Sequence, residues 1–501
     1  MADRMQKYVS VGRKTPEKRS AEERRNDQRE IYRDFTPEAA ARQASRCEQC
    51  GTPYCQIFCP LHNNIPDWLK LTAEGRLDEA YARAQETNNF PEICGRICPQ
   101  DRLCEAKWAC TLEQAGHGTV TIGAIERYIT DNAWKEGWVR PRRPRRERPE
   151  RIAVLGAGPA GMAAAEELRA LGYQVHLYDR HARMGGLMAY GIPGFKLEKH
   201  VVERRAGLLL AAGVRFHPGV TLGKDTTLVG LRRDHEAVVL AFGAYAAKAL
   251  DVPGAERDHA VAALDYLIGS SRHLLGELPA PPIDAVGKRV VVIGGGDTAM
   301  DCVRTAVRQG AVAVTCLYRR DRANMPGSAR EVGHAEEEGV AFAWQAQPEA
   351  LLGVPVDVIA GEATALKPAG AIAVHAVRTR LAAAGSDGRR VPEPVPNSGF
   401  VLQADLVINA LGFSVEDAAA LTQGAVGMTE RATVAIDRRS MMTAVPGVFA
   451  AGDAVRGPSL VVWAIRDGRD VATQVHRYLS ATPRSQLRAM RPDAVPEKVA
   501  G

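Results

Sequence analysis

Two glycine-rich turns set the tightest limits on the fold. The first lies in Arg151–Asp179, RIAVLGAGPAGMAAAEELRALGYQVHLYD. It reads as a strand over Ile152–Leu155, a turn carrying Gly156, Gly158 and Gly161, a helix over Pro159–Leu171 and a strand over Val175–Tyr178. Glycines at this spacing allow a sharp turn, close approach of backbone to a pyrophosphate, and tight packing of helix on sheet. The helix N-terminus at Pro159 and Ala160 presents free N–H groups to an anion. Asp179 ends the second strand, where a carboxylate can accept ribose hydroxyls. The second turn lies in Arg289–Arg320. A strand over Val290–Ile293 leads into Gly294, Gly296, Asp297, Thr298 and Ala299, then a helix, then a strand over Val314–Tyr318. Its strand end carries Arg319 and Arg320 in place of the acid. An acid suits a ribose diol and an arginine suits a 2′-phosphate. The first site therefore fits FAD or NAD, and the second fits NADPH, with surface arginines the plainer alternative.

Other glycine-bearing stretches extend these sites. Arg183–Leu197, RMGGLMAYGIPGFKL, allows close approach to a flat cofactor through Gly186 and Leu187, and Lys196 offers a charge. Val238–Ala244 and Asp405–Gly412 read as buried strands ending in glycine. Val220 is assigned to the first site, and Ala410, Leu411 and Gly412 to the second. Gly447–Asp470 reads as a strand, then Gly452-Asp453, then a helix. This last unit is far from Gly156 in sequence, so the first domain is expected to be discontinuous, with the second inserted in it. Ala350–Ala404 alternates apolar and polar residues and reads as β-hairpins completing the second domain.

Eight of the ten cysteines fall between Cys47 and Cys110. The first run is Cys47, Cys50, Cys55 and Cys59-Pro60, and the second is Cys94, Cys98-Pro99, Cys104 and Cys110. A cysteine run ending in Cys-Pro marks bacterial ferredoxins, where the last cysteine ligates the other of two clusters. Two such endings point to two cross-linked iron–sulfur clusters. Closely spaced cysteine pairs also make tetrahedral zinc sites. Between the runs, Ile65–Arg83 reads as one amphipathic helix. Trp138–Pro149, WVRPRRPRRERP, is a proline–arginine linker, most simply solvated. The polar residues 1–40 suggest an arm with some helix and no chemistry of its own.

A net charge of +6 over 501 residues is small, so nucleic acid is not the expected partner. No apolar run is long enough to span a membrane, and the N-terminus has no apolar core of a secretory signal. A cytoplasmic protein is expected. A nicotinamide delivers electrons in pairs, an iron–sulfur cluster takes them singly, and a flavin does both. The three sites imply a path from NADPH through FAD to the clusters. No general base is required, and no catalytic side chain is assigned.

The combination resembles the small (β) subunit of bacterial NADPH-dependent glutamate synthase. The resemblance rests on CEQCGTPYCQIFCP, ICGRICPQDRLCE, VTIGAIERYI, GAGPAGMAAA, MGGLMAYGIPGFKL, GGGDTAMDC, LYRR, NMPGS and FAAGDAVRGPSLVVWAI, which extend from Cys47 to Asp470. It is also similar to the N-terminal part of dihydropyrimidine dehydrogenase and to related ferredoxin–NADP reductases. The resemblance implies an α/β chain with an N-terminal helical iron–sulfur domain (1–148) and two Rossmann-like, glutathione-reductase-like domains. The FAD domain would comprise 149–286 and 407–501, and the NADPH domain 287–406. It implies two 4Fe-4S clusters. Cys47, Cys50, Cys55 and Cys110 match ligands of one, and Cys59, Cys98, Cys104 and Glu126 match those of the other. Cys94 matches a non-ligand position. Five residues separate Cys104 from Cys110, where the family usually has three. Gly452 and Asp453 match a segment that approaches the ribityl chain and phosphate of FAD. The implied partner is a large (α) subunit that makes glutamate from glutamine and 2-oxoglutarate. Consistent with that division, the chain shows neither an N-terminal cysteine nucleophile behind Met1 nor the repeated units of a (β/α)8 barrel.

Overall fold

The computed structural model describes residues 6–255, 260–353, 371–384, 390–490 and 492. Its N-terminal part is helical. Helices Pro37–Ala44, Ile65–Ala73, Leu77–Thr87, Pro91–Ile97 and Ile122–Lys135 pack around Trp68, Leu69, Ile125 and Ile129. Burying an aliphatic side chain of this kind stabilises by about 1.5–3 kcal/mol. Pro37, Pro66 and Pro91 each sit in a first helical turn, where a missing N–H costs nothing. The single helix expected over Ile65–Arg83 is two. Gly75, at φ 76°, ends the first, and the chain restarts at Leu77.

Two parallel five-stranded sheets follow. The first has the order Val448–Ala450, Ala237–Leu240, Arg151–Leu155, Gln174–Asp179, Arg215–Pro218. The second has the order Val261–Ala262, Leu406–Asn409, Arg289–Ile293, Ala313–Tyr318, Ala341–Trp344. Each glycine turn thus leaves the central strand of its own sheet. The first sheet takes its last strand from beyond the second domain, which is the insertion expected from sequence. Where the chain crosses between domains, Ala246–Ala247 and Phe413–Ser414 pair antiparallel. The second sheet also takes in Val261–Ala262 and Leu406–Asn409, on the far side of the boundaries expected at 286/287 and 406/407. Helix Ala263–Leu274 goes with it: Tyr266 and Leu267 join the core of Met300 and Val303. Short strands carry weak signals alone, and pairing decides their domain.

The hairpin expectation over Ala350–Ala404 matches an antiparallel layer of Ala346–Gly353, Ile372–Ala384, Arg390–Pro394 and Phe400–Ala404. Residues 354–370 and 385–389 lie outside the described residues. The proline–arginine linker is pinned rather than free. Arg142 pairs with Glu167 at 2.6 Å, and the Arg148 N–H donates to the Gly172 carbonyl at 2.8 Å. The N-terminal arm straps onto the second domain, where Arg24 meets Glu337 at 2.7 Å. No helix among the described residues is long and apolar enough to cross a membrane.

Candidate functional site

The first glycine turn is built by exclusion. Gly156 holds φ 101°, and a Cβ there would sit 2.2 Å from the Ala241 carbonyl oxygen. A Cβ on Gly161 would meet the Gly156 oxygen at 1.8 Å, so the helix Pro159–Ala170 can approach its strand only without a side chain. The Asp179 carboxylate is buried and locks this turn. Its Oδ2 accepts from the Ala157 N–H at 2.6 Å and its Oδ1 from the His181 N–H at 2.8 Å. Each carboxylate oxygen keeps a lone pair that a hydroxyl can use. Gly186 packs against Gly158, and Gly452 against Ala160, with no room for a Cβ between them. Asp453 accepts from the Ser459 hydroxyl at 2.6 Å.

A cleft of about 1010 Å³ runs from this turn to the second domain. Gly156, Gly158, Pro159, Ala160, Asp179, Leu187 and Asp453 line it on one side, and Thr298 on the other. Sequence reasoning missed Met188, Tyr245, Asp301, Leu460 and Val461, which complete the walls. Tyr245 follows the glycine that ends the Val238–Ala244 stretch, so a signal for it existed. Asp301 carried none beyond its place one helical turn after Asp297. A smaller cavity of about 430 Å³ adjoins the strand ends. Val220 and Arg180 line it, and the Val220 N–H donates to the Asp179 carbonyl at 2.9 Å. Lys196, expected to face a cofactor, is buried and donates to Asp301 Oδ1 at 2.8 Å. Burial pushes the Asp301 carboxyl up to about 6, with Lys196 pulling against it.

The second turn repeats the exclusion. A Cβ on Gly294 would stand 2.4 Å from the Ala410 oxygen, which places Ala410, Leu411 and Gly412 beside the turn. Ala299 is fully buried beneath it. Gly296 opens the helix Asp297–Arg308. Asp297 is tied down on both oxygens, by Arg102 of the helical domain at 2.8 Å and by the Ser328 N–H at 2.9 Å. Arg319 and Arg320 follow the strand Ala313–Tyr318, and among the described residues neither has an ion-pair partner. Arg319 is exposed.

The cysteines gather in two places. Cys47, Cys50, Cys55 and Cys110 line one cavity of about 420 Å³, so the longer spacer before Cys110 does not carry it away. Cys59, Cys98, Cys104 and Glu126 form the second group, each thiol within electrostatic reach of the Glu126 carboxylate. Asn63 and Asn88 both donate to Glu126 Oε1, at 2.9 and 3.3 Å. Burial pushes Glu126 up to about 8 against those bonds. Cys94 is buried and donates to the Asn88 amide oxygen at 3.8 Å. Burial raises the thiols, Cys47 to about 11 and Cys55 to about 12. Thiols so placed ionise only with a strong positive charge beside them. Among the described residues no three His, Cys, Asp or Glu side chains close on a single metal ion. All ten cysteines are free.

The two groups differ in what surrounds them. Cys59, Cys98 and Leu103 share a hydrophobic core with Met184, Met188, Leu460 and Val461 of the cleft region. Arg466, one turn beyond Val461–Val462 on the helix Val461–Ala481, donates to the Pro60 carbonyl at 2.7 Å. Cys47, Cys55 and Cys110 instead pack in the helical core around Trp68.

Residues 24–138 match the family model of dihydropyrimidine dehydrogenase domain II, 4Fe-4S cluster, and residues 150–468 match that of the pyridine nucleotide-disulphide oxidoreductases. FprA of Mycobacterium tuberculosis in complex with NADPH shares the fold, with a TM-score of 0.52 at 18% identity over 69% of this chain and 91% of that one. Fold and site thus define an α/β pyridine nucleotide-disulphide oxidoreductase headed by an iron–sulfur domain. The glutamate synthase (NADPH) small chain of Azospirillum brasilense is 56% identical over 483 residues, 95% of this chain and 97% of that one. The corresponding chain of Escherichia coli K12 is 42% identical over 485 residues, 96% and 100% of the two. The chain belongs to the family of glutamate synthase (NADPH) small chains, and it is an NADPH-dependent oxidoreductase.

Proposed function

We propose that the chain is the electron-input subunit of glutamate synthase, binding FAD in the interdomain cleft, NADPH on the second glycine turn, and two 4Fe-4S clusters in the helical domain. The carrying observation is adjacency: one cleft joins both nucleotide turns, and its wall shares a core with the Cys59 group. A flavin takes electrons as a pair and gives them singly, which is the exchange needed between a nicotinamide and an iron–sulfur cluster. The rest is positioning. The N–H groups at Pro159–Gly161 hold a pyrophosphate, Asp179 and Val220 the ribose and adenine end, and Leu187, Met188, Leu460 and Val461 keep water from the reacting ring. Gly294–Ala299 hold the pyrophosphate of NADPH, Arg319 and Arg320 its 2′-phosphate, and Ala410–Gly412 border it. Cys47, Cys50, Cys55 and Cys110 supply four thiolates to one cluster. Cys59, Cys98, Cys104 and Glu126 supply three thiolates and a carboxylate to the other.

Support for the clusters is chemical. Several soft donors surround cavities too wide for one ion, in a segment that matches a 4Fe-4S family. A large chain would then make glutamate from glutamine and 2-oxoglutarate. The test is reconstitution. The isolated chain should reduce artificial dyes with NADPH and form no glutamate. Glutamate should appear only when a large glutamate synthase chain is added. Glutamine-dependent glutamate formation by the isolated chain would overturn the division of labour.

A further inference from the structure

Four large apolar side chains stand exposed together on the helical domain: Tyr54 (43%), Ile57 (49%), Phe58 (41%) and Trp108 (55%). Tyr54 and Ile57 are the ends of one short helix, Tyr54–Ile57. The rings form a chain, Tyr54 to Phe58 with centroids 6.4 Å apart and Phe58 to Trp108 at 6.5 Å, edge to face. Two segments distant in sequence therefore build one patch. Its surroundings are poor in charge. Gln49–Pro60 contains no Asp, Glu, Lys or Arg in a chain that is 25% charged. Interface cores are depleted of charge and enriched in aromatic residues, and exposed apolar groups in contact mark contact surfaces.

The patch sits over the thiol cavity. Tyr54 lines that cavity directly, and Trp108 is two residues before Cys110. This is also the group set away from the flavin cleft, since it is Cys59 and Cys98 that share the core of Met188 and Val461. We propose that the Tyr54–Ile57–Phe58–Trp108 patch is where the large glutamate synthase chain docks, and that electrons leave through the cavity beneath it. This rests on the electron-input reading above. Each NADPH oxidised to NADP⁺ gives two electrons and one proton. The electrons cross this surface one at a time to a one-electron acceptor in the large chain, and the proton returns to solvent. The occupant follows from position: an acceptor in another chain has to come to the surface nearest the last carrier, and that surface is apolar, aromatic and uncharged.

The test uses the holoprotein with Ile57→Glu/Trp108→Lys. Capture of the large chain should weaken about 10- to 100-fold, as expected for charges placed in an interface centre. Glutamate formation at limiting large chain should fall with it. Dye reduction by NADPH and iron content should stay at the unmodified level. If iron is lost in the double variant, Trp108→Lys alone decides by the same readouts. Val312→Glu, at another exposed apolar position (67%), should leave capture unchanged. Unchanged capture by the patch variants, or equal weakening by Val312→Glu, would overturn the docking surface. Failure of the unmodified protein to capture the large chain would instead bring down the reading beneath it.

Discussion

Lys196 and Asp301 form a buried 2.8 Å ion pair that joins the loop before one nucleotide domain's helix to the first helix of the other. Asp301 lines the cleft, and Lys196 stands behind it. Removing one member of such a pair leaves a charge in low dielectric, which costs about 3–5 kcal/mol, whereas replacing both is near neutral. Lys196→Met should therefore lower the urea midpoint markedly, and Lys196→Met/Asp301→Leu should restore most of it. Both should slow flavin reduction by NADPH, because the pair sets how the two domains face each other. A single variant as stable as the unmodified protein would show that the pair contributes nothing to the joint.

Nucleotide choice should reside at the second strand end. A hydrogen bond to a charged group is worth about 1.5–3 kcal/mol, or roughly 10- to 150-fold in affinity. Arg319→Ala should raise KM for NADPH on that scale and leave NADH nearly unchanged. Equal losses for both nucleotides would mean that the guanidinium supports the fold or a shared phosphate.

The second cysteine group has one donor too many by simple counting. Glu126 is held by two amides on one oxygen, whereas Cys94 spends its thiol proton on Asn88 in the core. The anaerobically purified chain should contain ~8 Fe, the sum of two four-iron clusters. Glu126→Ala should lose or alter one cluster, read by iron content and EPR, and Cys94→Ser should keep both. The reverse pattern would make Cys94 the ligand, and stoichiometric zinc without labile sulfide would remove the clusters altogether.

Acid should loosen the first sheet through its histidines. His176 stacks on His217 with centroids 5.2 Å apart and meets His235 edge to face at 5.1 Å. Burial, then His235 and His217, with Arg215 and Arg151 behind them, lower His176 from 6.5 to about 4. The unfolded chain thus binds more protons between these values. The stabilisation is complete above about 6.5 and is lost as pH falls toward about 4. Because the ring is partly solvated, the effect should be only about 1 kcal/mol. His176→Gln should flatten the fall of the urea midpoint between pH 6.5 and 4. Parallel curves for the two proteins would rule the cluster out as its source.

Local chemistry was readable wherever a few adjacent residues force one backbone shape. The turns at Gly156 and Gly294, the strand ends at Asp179 and Arg319, and the paired cysteine runs needed no knowledge of distant partners. The break at Gly75 was equally local and was passed over, because the apolar spacing runs on across it. The pinned linker was less readable. Arginines between prolines look solvated until Glu167 is packed beside them.

By itself the sequence determined two nucleotide turns, their opposite charge preference, and a soft-donor segment, since glycine spacing and thiol spacing act within a single turn of chain. Only the tertiary structure decided which donors share a cavity, which domain owns Val261–Leu274, what Lys196 faces, and that Tyr54 and Trp108 stand in one patch. Those pairings join residues far apart in the chain. They are set by burial and by the pairing of charges and strands across the fold, which leave no periodic mark in the sequence.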